Sequence, residues 1–161
     1  MKLSKKENET VITIINVYAP TSERALKHPE EFEKFYRDLN NTINSVEKQS
    51  FILLAGDFNA KIGKQQQGET SVGKFSKGKR NCNGERLVEF CEEKRLFVTN
   101  SAFNHPSRHI TTWAGQRKDK TTGETINIYN QIDFIICQQR HKNLLTNARS
   151  YGGTTLTSDH K

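Results

Sequence analysis

Two apolar runs bracket one amphipathic stretch, and that arrangement constrains the fold of this chain more tightly than any other feature. The first run, Val11-Ile12-Thr13-Ile14-Ile15-Asn16-Val17-Tyr18, is rich in β-branched residues and reads as a strand buried on both faces. Ala19-Pro20 closes it, because proline lacks the N–H for a ladder hydrogen bond and pushes the preceding residue toward extended geometry. Thr21 to His28 read as a loop, and Pro29 suits the first turn of a helix. Phe32, Phe35, Tyr36, Leu39, Ile43 and Val46 then recur at three- and four-residue steps, with charged residues between them. The second run, Phe51-Ile52-Leu53-Leu54-Ala55-Gly56, follows at once. Strand, helix, strand predicts a βαβ-like unit whose two strand ends lie on the same side. Those ends carry Tyr18 and Asp57-Phe58-Asn59, so polar groups are expected together where the sheet meets its loops. If the strand geometry persists, alternation turns Asp57 and Asn59 to one face. Gly, Asp and Asn are also ordinary turn formers, which leaves a plain polar turn as the competing reading.

From Lys61 to Cys82 the composition turns to Gly, Gln, Ser and Lys, as in a long mobile loop. Its cations Lys74, Lys77, Lys79 and Arg80 form either a solvated insertion or a basic flap that touches phosphates. A second helix is expected from Asn83, an N-cap residue, with Glu85 complementing the helix dipole and Leu87, Val88, Phe90, Cys91 and Leu96 on the buried side. Phe97 to Asn100 and Ile110 to Trp113 read as strands joined by a loop with His105 and His109. Pro106 between the two histidines argues against a helical zinc pair. Trp113, ahead of the Gly-, Lys- and Thr-rich loop Ala114 to Glu124, is a core anchor or a stacking surface for a base or sugar. Ile126 to Tyr129 enters another strand, and Gln131 to Cys137 is a strong one interrupted by Asp133. A carboxylate in an apolar run needs a dedicated partner. Arg140, Lys142, or the distant His160 in Thr157-Ser158-Asp159-His160 could supply it. An Asp–His pair orients the imidazole and favours its protonated form, which suits acid–base work.

The 161 residues suit one domain spanning 1–161, and 25 Lys and Arg against 18 Asp and Glu leave a charge of +7. That balance favours a polyanionic partner such as nucleic acid. Cys82, Cys91 and Cys137 are odd in number and lack metal-type spacing, which points to a reduced intracellular setting. No run approaches the ~20 apolar residues of a membrane span. The opening Met1-Lys2-Leu3-Ser4-Lys5-Lys6 leads into polar residues, so neither secretion nor membrane insertion is expected.

Five segments now stand in chain order: Asn16-Val17-Tyr18-Ala19-Pro20, Gly56-Asp57-Phe58-Asn59, Thr112-Trp113, Gln131-Ile132-Asp133-Phe134 and Ser158-Asp159-His160. Together they resemble the endonuclease/exonuclease/phosphatase superfamily, and more narrowly the endonuclease domains of non-LTR retrotransposons and craniofacial development protein 2-like sequences. The resemblance implies an α/β fold, part of a four-layer αββα sandwich of two mixed or mostly antiparallel sheets flanked by helices. It implies hydrolysis of a phosphodiester or phosphate monoester assisted by Mg2+ or Mn2+. Carried onto this chain, Asp57 activates or positions the attacking water, Asn59 orients it and the phosphate, and Tyr18 contacts a phosphate oxygen. Asp133 holds His160, the general base or transition-state stabiliser, and Asp159 contributes to the metal site. Thr112, Trp113, Lys74, Lys77, Lys79 and Arg80 become candidate substrate contacts, with DNA as the partner, a nuclear setting compatible with it, and no obligate protein partner.

The family's early metal-binding Glu has no counterpart here, since Glu7 and Glu9 do not sit in its motif, and the strand that would follow His160 is expected to be missing. The resemblance therefore also implies an incomplete ligand set and little or no nicking by this span alone. A phosphatase of the same fold and a non-catalytic basic nucleic-acid-binding remnant are the alternatives.

Overall fold

A computed structural model of the chain describes residues 11–152 and 158–161. Glu7, Glu9 and Thr157, weighed above, lie outside the described residues. The elements run β1 (Ile12–Tyr18), α1 (Ser22–Lys27), α2 (Pro29–Ser45), β2 (Phe51–Asp57), α3 (Cys82–Glu93), β3 (Leu96–Val98), β4 (Trp113–Lys118), β5 (Thr125–Asn130) and β6 (Asp133–Gln138), with short 3-10 turns between and after them. The fold is mixed α/β with two sheets, consistent with part of a sandwich.

The predicted βαβ unit is present. β1 and β2 pair in parallel with Tyr18 opposite Asp57, and α2 begins with Pro29 in its first turn. β2 then pairs antiparallel with β6, and β6 with β3, giving the order β1-β2-β6-β3. α2 and α3 cover one face, where Tyr36, Leu39, Leu87 and Phe90 pack with Val17, Leu54, Phe134 and Ile136. Burial of these side chains at ~25 cal/mol per Å2 of apolar surface is the main stabilising term.

β1 is not buried on both faces. Ile12, Ile14 and Tyr18 are 57%, 68% and 75% exposed, because the helices cover only the face that carries Val17. The opposite face holds a smaller cluster of Phe51, Phe97 and Cys137.

Four further expectations change. Thr21–His28 is not all loop, since Thr21 caps the short helix α1 by accepting the Arg24 N–H. The second helix is capped by Asn81 rather than Asn83, the Asn81 side chain accepting the Gly84 N–H at 2.9 Å. The third strand stops at Val98 and gives way to a 3-10 turn at Thr99–Ala102. Ile110–Thr112 precede a strand instead of forming one: β4 starts at Trp113, takes up Ala114 to Lys118 of the expected loop, and pairs with β5 as a hairpin.

The stretch from Lys61 to Cys82 is packed, not loose. Ile62, Val72, Ser71 and Ser76 are buried, and Phe75 donates its N–H to Ser101 O at 3.0 Å. Among the described residues no helix is long and apolar enough to cross a membrane.

Candidate active site

The end of β2 is where two neighbouring strands deliver their polar residues. Gly56 makes this possible: its φ of 142° lies where side chains are rarely tolerated, and a Cβ there would sit 2.0 Å from Val17 O. The close approach of β1 and β2 brings Tyr18 beside Asp57, while the antiparallel register of β6 sets Asp133 directly opposite Asp57. Tyr18 is exposed and Asp57 buried.

Asn59 reaches the cluster by a route that strand alternation does not describe. β2 ends at Asp57, and Asn59 adopts a left-handed φ of 47°, a conformation asparagine tolerates better than most residues. Its backbone N–H donates to Asp57 Oδ1 at 2.7 Å. Its side-chain Nδ2 donates to Ala19 O at 2.9 Å and to Asp57 Oδ2 at 3.1 Å. The turn, not the strand, folds Asn59 back onto Asp57.

His160 closes the cluster. Its Nδ1 lies 3.2 and 3.1 Å from the two Asp133 carboxylate oxygens, and its Nε2 is 3.9 Å from Asp57 Oδ2. The partner demanded by the acid in β6 is therefore His160, not Arg140 or Lys142. His160 is fixed without a further strand by pairing with the start of β4. Ala114 donates its N–H to Asp159 O at 2.9 Å, and Lys161 donates to Thr112 O at 2.8 Å. In such an extended segment successive side chains point opposite ways. Asp159 consequently does not join the acids around His160: its Oδ2 accepts the indole N–H of Trp113 at 2.8 Å.

Burial is the first cause, and the charge of Asp133 a further one, that pushes the Asp57 carboxyl above the ordinary range; its hydrogen bonds with Asn59 and the nearby His160 work against that rise. Ligand atoms of Asp57, Asp133 and His160 lie within 4.8 Å of one another. Two converging carboxylates, one of them disfavoured as an anion, suit a divalent cation that would offset their charge. Among the described residues His105 and His109 join no such group: His105 bonds Asn147 and His109 bonds Ser150 O.

The predicted substrate contacts separate into distinct groups. Thr112 is buried, and its Oγ1 accepts the N–H groups of Ile132 at 3.0 Å and Asp133 at 3.1 Å, so it positions β6 rather than facing a substrate. Trp113 is half-buried with its N–H committed to Asp159, and a Cβ on Gly115 would collide with its ring. Arg80 is not part of a free basic flap: its buried guanidinium forks onto Glu69, with Nη2–Oε2 at 2.9 Å, and its Nε donates to Ile62 O.

Lys74, Lys77 and Lys79 are exposed; Lys74 is not in the lining that Lys77 and Lys79 share. These two line a cleft of about 410 Å3 with Lys61, Thr111, Tyr129 and Gln131. Lys61 and Gln131 stand two positions from Asn59 and Asp133, which places this basic cleft beside the acidic cluster.

Two residues around the cluster escaped the sequence reading. Lys61 had no pattern to mark it. Asn83, which looked like a helix cap, is buried and donates to Pro20 O at 3.1 Å and Asn59 O at 3.0 Å, tying both site loops to α3. The nearby Asn81 and Gly84, where a Cβ would meet Lys61 O at 1.9 Å, are the local sign that helix and loop touch.

A mixed α/β sheet with an Asp, Asn and Asp–His cluster at its strand ends defines an endonuclease/exonuclease/phosphatase-like protein. The chain belongs to the endonuclease-reverse transcriptase family, whose profile matches residues 12–161. Proteins of this group generally use divalent metals. The chain is also similar to craniofacial development protein 2 of Bos taurus, 39% identical over 156 residues that cover 93% of this chain and 23% of that protein. Craniofacial development protein 2 of Tragulus javanicus is 37% identical over 153 residues, covering 93% and 24%. The chain thus spans about a quarter of the length of these relatives.

Proposed function

We propose that this chain carries the phosphodiester-hydrolysing site of a DNA endonuclease of the retrotransposon type, working with Mg2+ or Mn2+. The observation that carries the reading is His160 set between two carboxylates, Nδ1 on Asp133 and Nε2 toward Asp57. With Asp133 accepting the Nδ1–H, the tautomer leaves the Nε2 lone pair on the side of Asp57. That nitrogen takes a proton from the attacking water and returns it to the departing oxygen as the new P–O bond forms and the old one breaks.

Asp57, held by both N–H groups of Asn59, orients that water. The exposed Tyr18 hydroxyl donates to a phosphate oxygen. Asp57 and Asp133 would hold the cation, which would supply charge neutralisation at the phosphate when bound. DNA is favoured over a small phosphate because Lys61, Lys77 and Lys79 line a cleft next to the cluster that can take neighbouring phosphates.

Supercoiled plasmid incubated with Mg2+ or Mn2+ tests this. Nicking above the metal-free background is expected, and Asp57→Ala abolishes it. A version extended at its N-terminus, run alongside, measures how far additional metal ligands raise the rate. Phosphate release from short-chain phosphoinositides with no DNA cleavage would replace the reading by a phosphatase; salt-sensitive DNA binding with no product would replace it by a binding remnant.

A further inference from the structure

The opposite end of the main sheet, where β1 and β2 begin and β6 ends, carries a second basic cleft of about 650 Å3. Ile43, Val46 and Ile52 give it an apolar floor. Lys48, Lys94, Arg95 and Arg140 surround that floor, and Glu47 is the acid of the lining. The cations arrive from three separate connections: Lys48 just before β2, Lys94 and Arg95 between α3 and β3, and Arg140 after β6. Arg140 is set in place, its Nη2 donating to Lys48 O at 2.8 Å. Lys94 reaches its neighbour Glu93 at 2.8 Å.

Arg95 is the informative residue. Its φ is 51°, left-handed, directly after the residue that caps α3, where glycine is the usual choice. Its backbone is fully used, the N–H donating to Glu92 O at 3.2 Å and the carbonyl accepting the Gln139 N–H at 2.8 Å. Glycine would meet both demands without strain. The exposed guanidinium is what glycine would lack.

We propose that this cleft binds a nucleotide, its phosphate on the cationic rim and its base on the Ile43, Val46 and Ile52 floor. A forked guanidinium matches phosphate geometry, and an apolar base with a charged tail matches the division between floor and rim. The nucleotide is either free or one unit of a nucleic-acid strand. The site shares no residue with the Asp57 cluster, which lies at the other end of β2, and it does not depend on the phosphodiesterase reading.

The test uses the Lys77→Ala/Lys79→Ala chain, which weakens the cleft beside Asp57, and compares it with the same chain carrying Arg95→Gly. The probes are adenosine monophosphate, followed by calorimetry, and fluorescein-labelled decathymidylate, followed by anisotropy at low salt. Arg95→Gly is expected to hold or raise Tm, since it relieves a left-handed non-glycine residue, while weakening at least one probe by about 5- to 10-fold. Loss for both probes identifies a free nucleotide as sufficient ligand; loss for the oligonucleotide alone identifies a strand. No binding of either probe before the Arg95 change, equal affinities after it, or a fall in Tm on Arg95→Gly would each overturn the proposal.

Discussion

Asp57 concentrates the conflict between folding and function. Its carboxyl titrates above the ordinary range because it is buried and faces Asp133. For an acid whose folded pKa is raised, the folded state holds the proton more tightly, so stability falls as pH rises from the unfolded value through the folded one. Asp57→Asn, which cannot ionise, is therefore expected to lose this dependence, so the Tm of the wild type relative to Asp57→Asn falls as pH rises across that window. Thermal melts of both proteins below the ordinary aspartate range and at pH 7 check this. Divalent cation should raise the Tm of the wild type and not of Asp57→Asn. Thr112 is a second decisive residue, since its hydroxyl accepts two backbone N–H groups beside Asp133. Thr112→Val leaves those buried donors without an acceptor and should cost about 1–3 kcal/mol in urea unfolding, whereas Thr112→Ser should recover most of it. Asp57 and Asp133 were legible in the sequence as acids ending or interrupting apolar runs, and His160 as a candidate partner for Asp133 in the Ser-Asp-His ending. The roles of Thr112 and Asn83 were not, because a hydroxyl or amide that bonds a distant backbone leaves no local pattern.

The Lys61–Cys82 connection shows at the level of elements what composition conceals. Gly, Gln, Ser and Lys content suggested a mobile loop, either a solvated insertion or a basic flap, yet Arg80 and Glu69 form an ion pair with side chains 7% and 13% exposed. Breaking a pair this buried leaves a charge uncompensated, so Arg80→Ala should cost about 3 kcal/mol by urea denaturation, while Lys77→Ala leaves stability unchanged. Arg80 holds the Glu69 carboxyl below its usual range, so this contribution is present above the unfolded carboxylate pKa and is lost as pH falls through the depressed one. The long elements were readable because α2 and α3 repeat apolar residues over several turns. The six-residue α1 is too short to show a period, and β4, Trp113-Ala114-Gly115-Gln116-Arg117-Lys118, is too polar and glycine-containing to look like a strand.

The whole molecule separates a helix-covered sheet face from one that leaves Ile12, Ile14 and Ile135 open, and no hydrophobic pattern could have told which face β1 would leave bare. That β1 and β2 are strands follows from composition, but coverage depends on where other elements land. The charge of +7 is likewise a global quantity, and only the fold sorts its carriers into paired Arg80, the cleft at Lys61, Lys77 and Lys79, and the distant group around Arg95. If the first cleft engages DNA phosphates, Lys77→Ala should weaken binding across all sequences and flatten the slope of log affinity against log salt by about one. The central claim is that Asp57, Asp133 and His160 act together on a phosphodiester, and plasmid relaxation measures it most directly. The predicted result is metal-dependent conversion of supercoiled to nicked circles, absent in EDTA and lost in both Asp57→Ala and His160→Ala. Nicking that persists at the wild-type rate in those variants, or no nicking at all with either cation, would contradict the account.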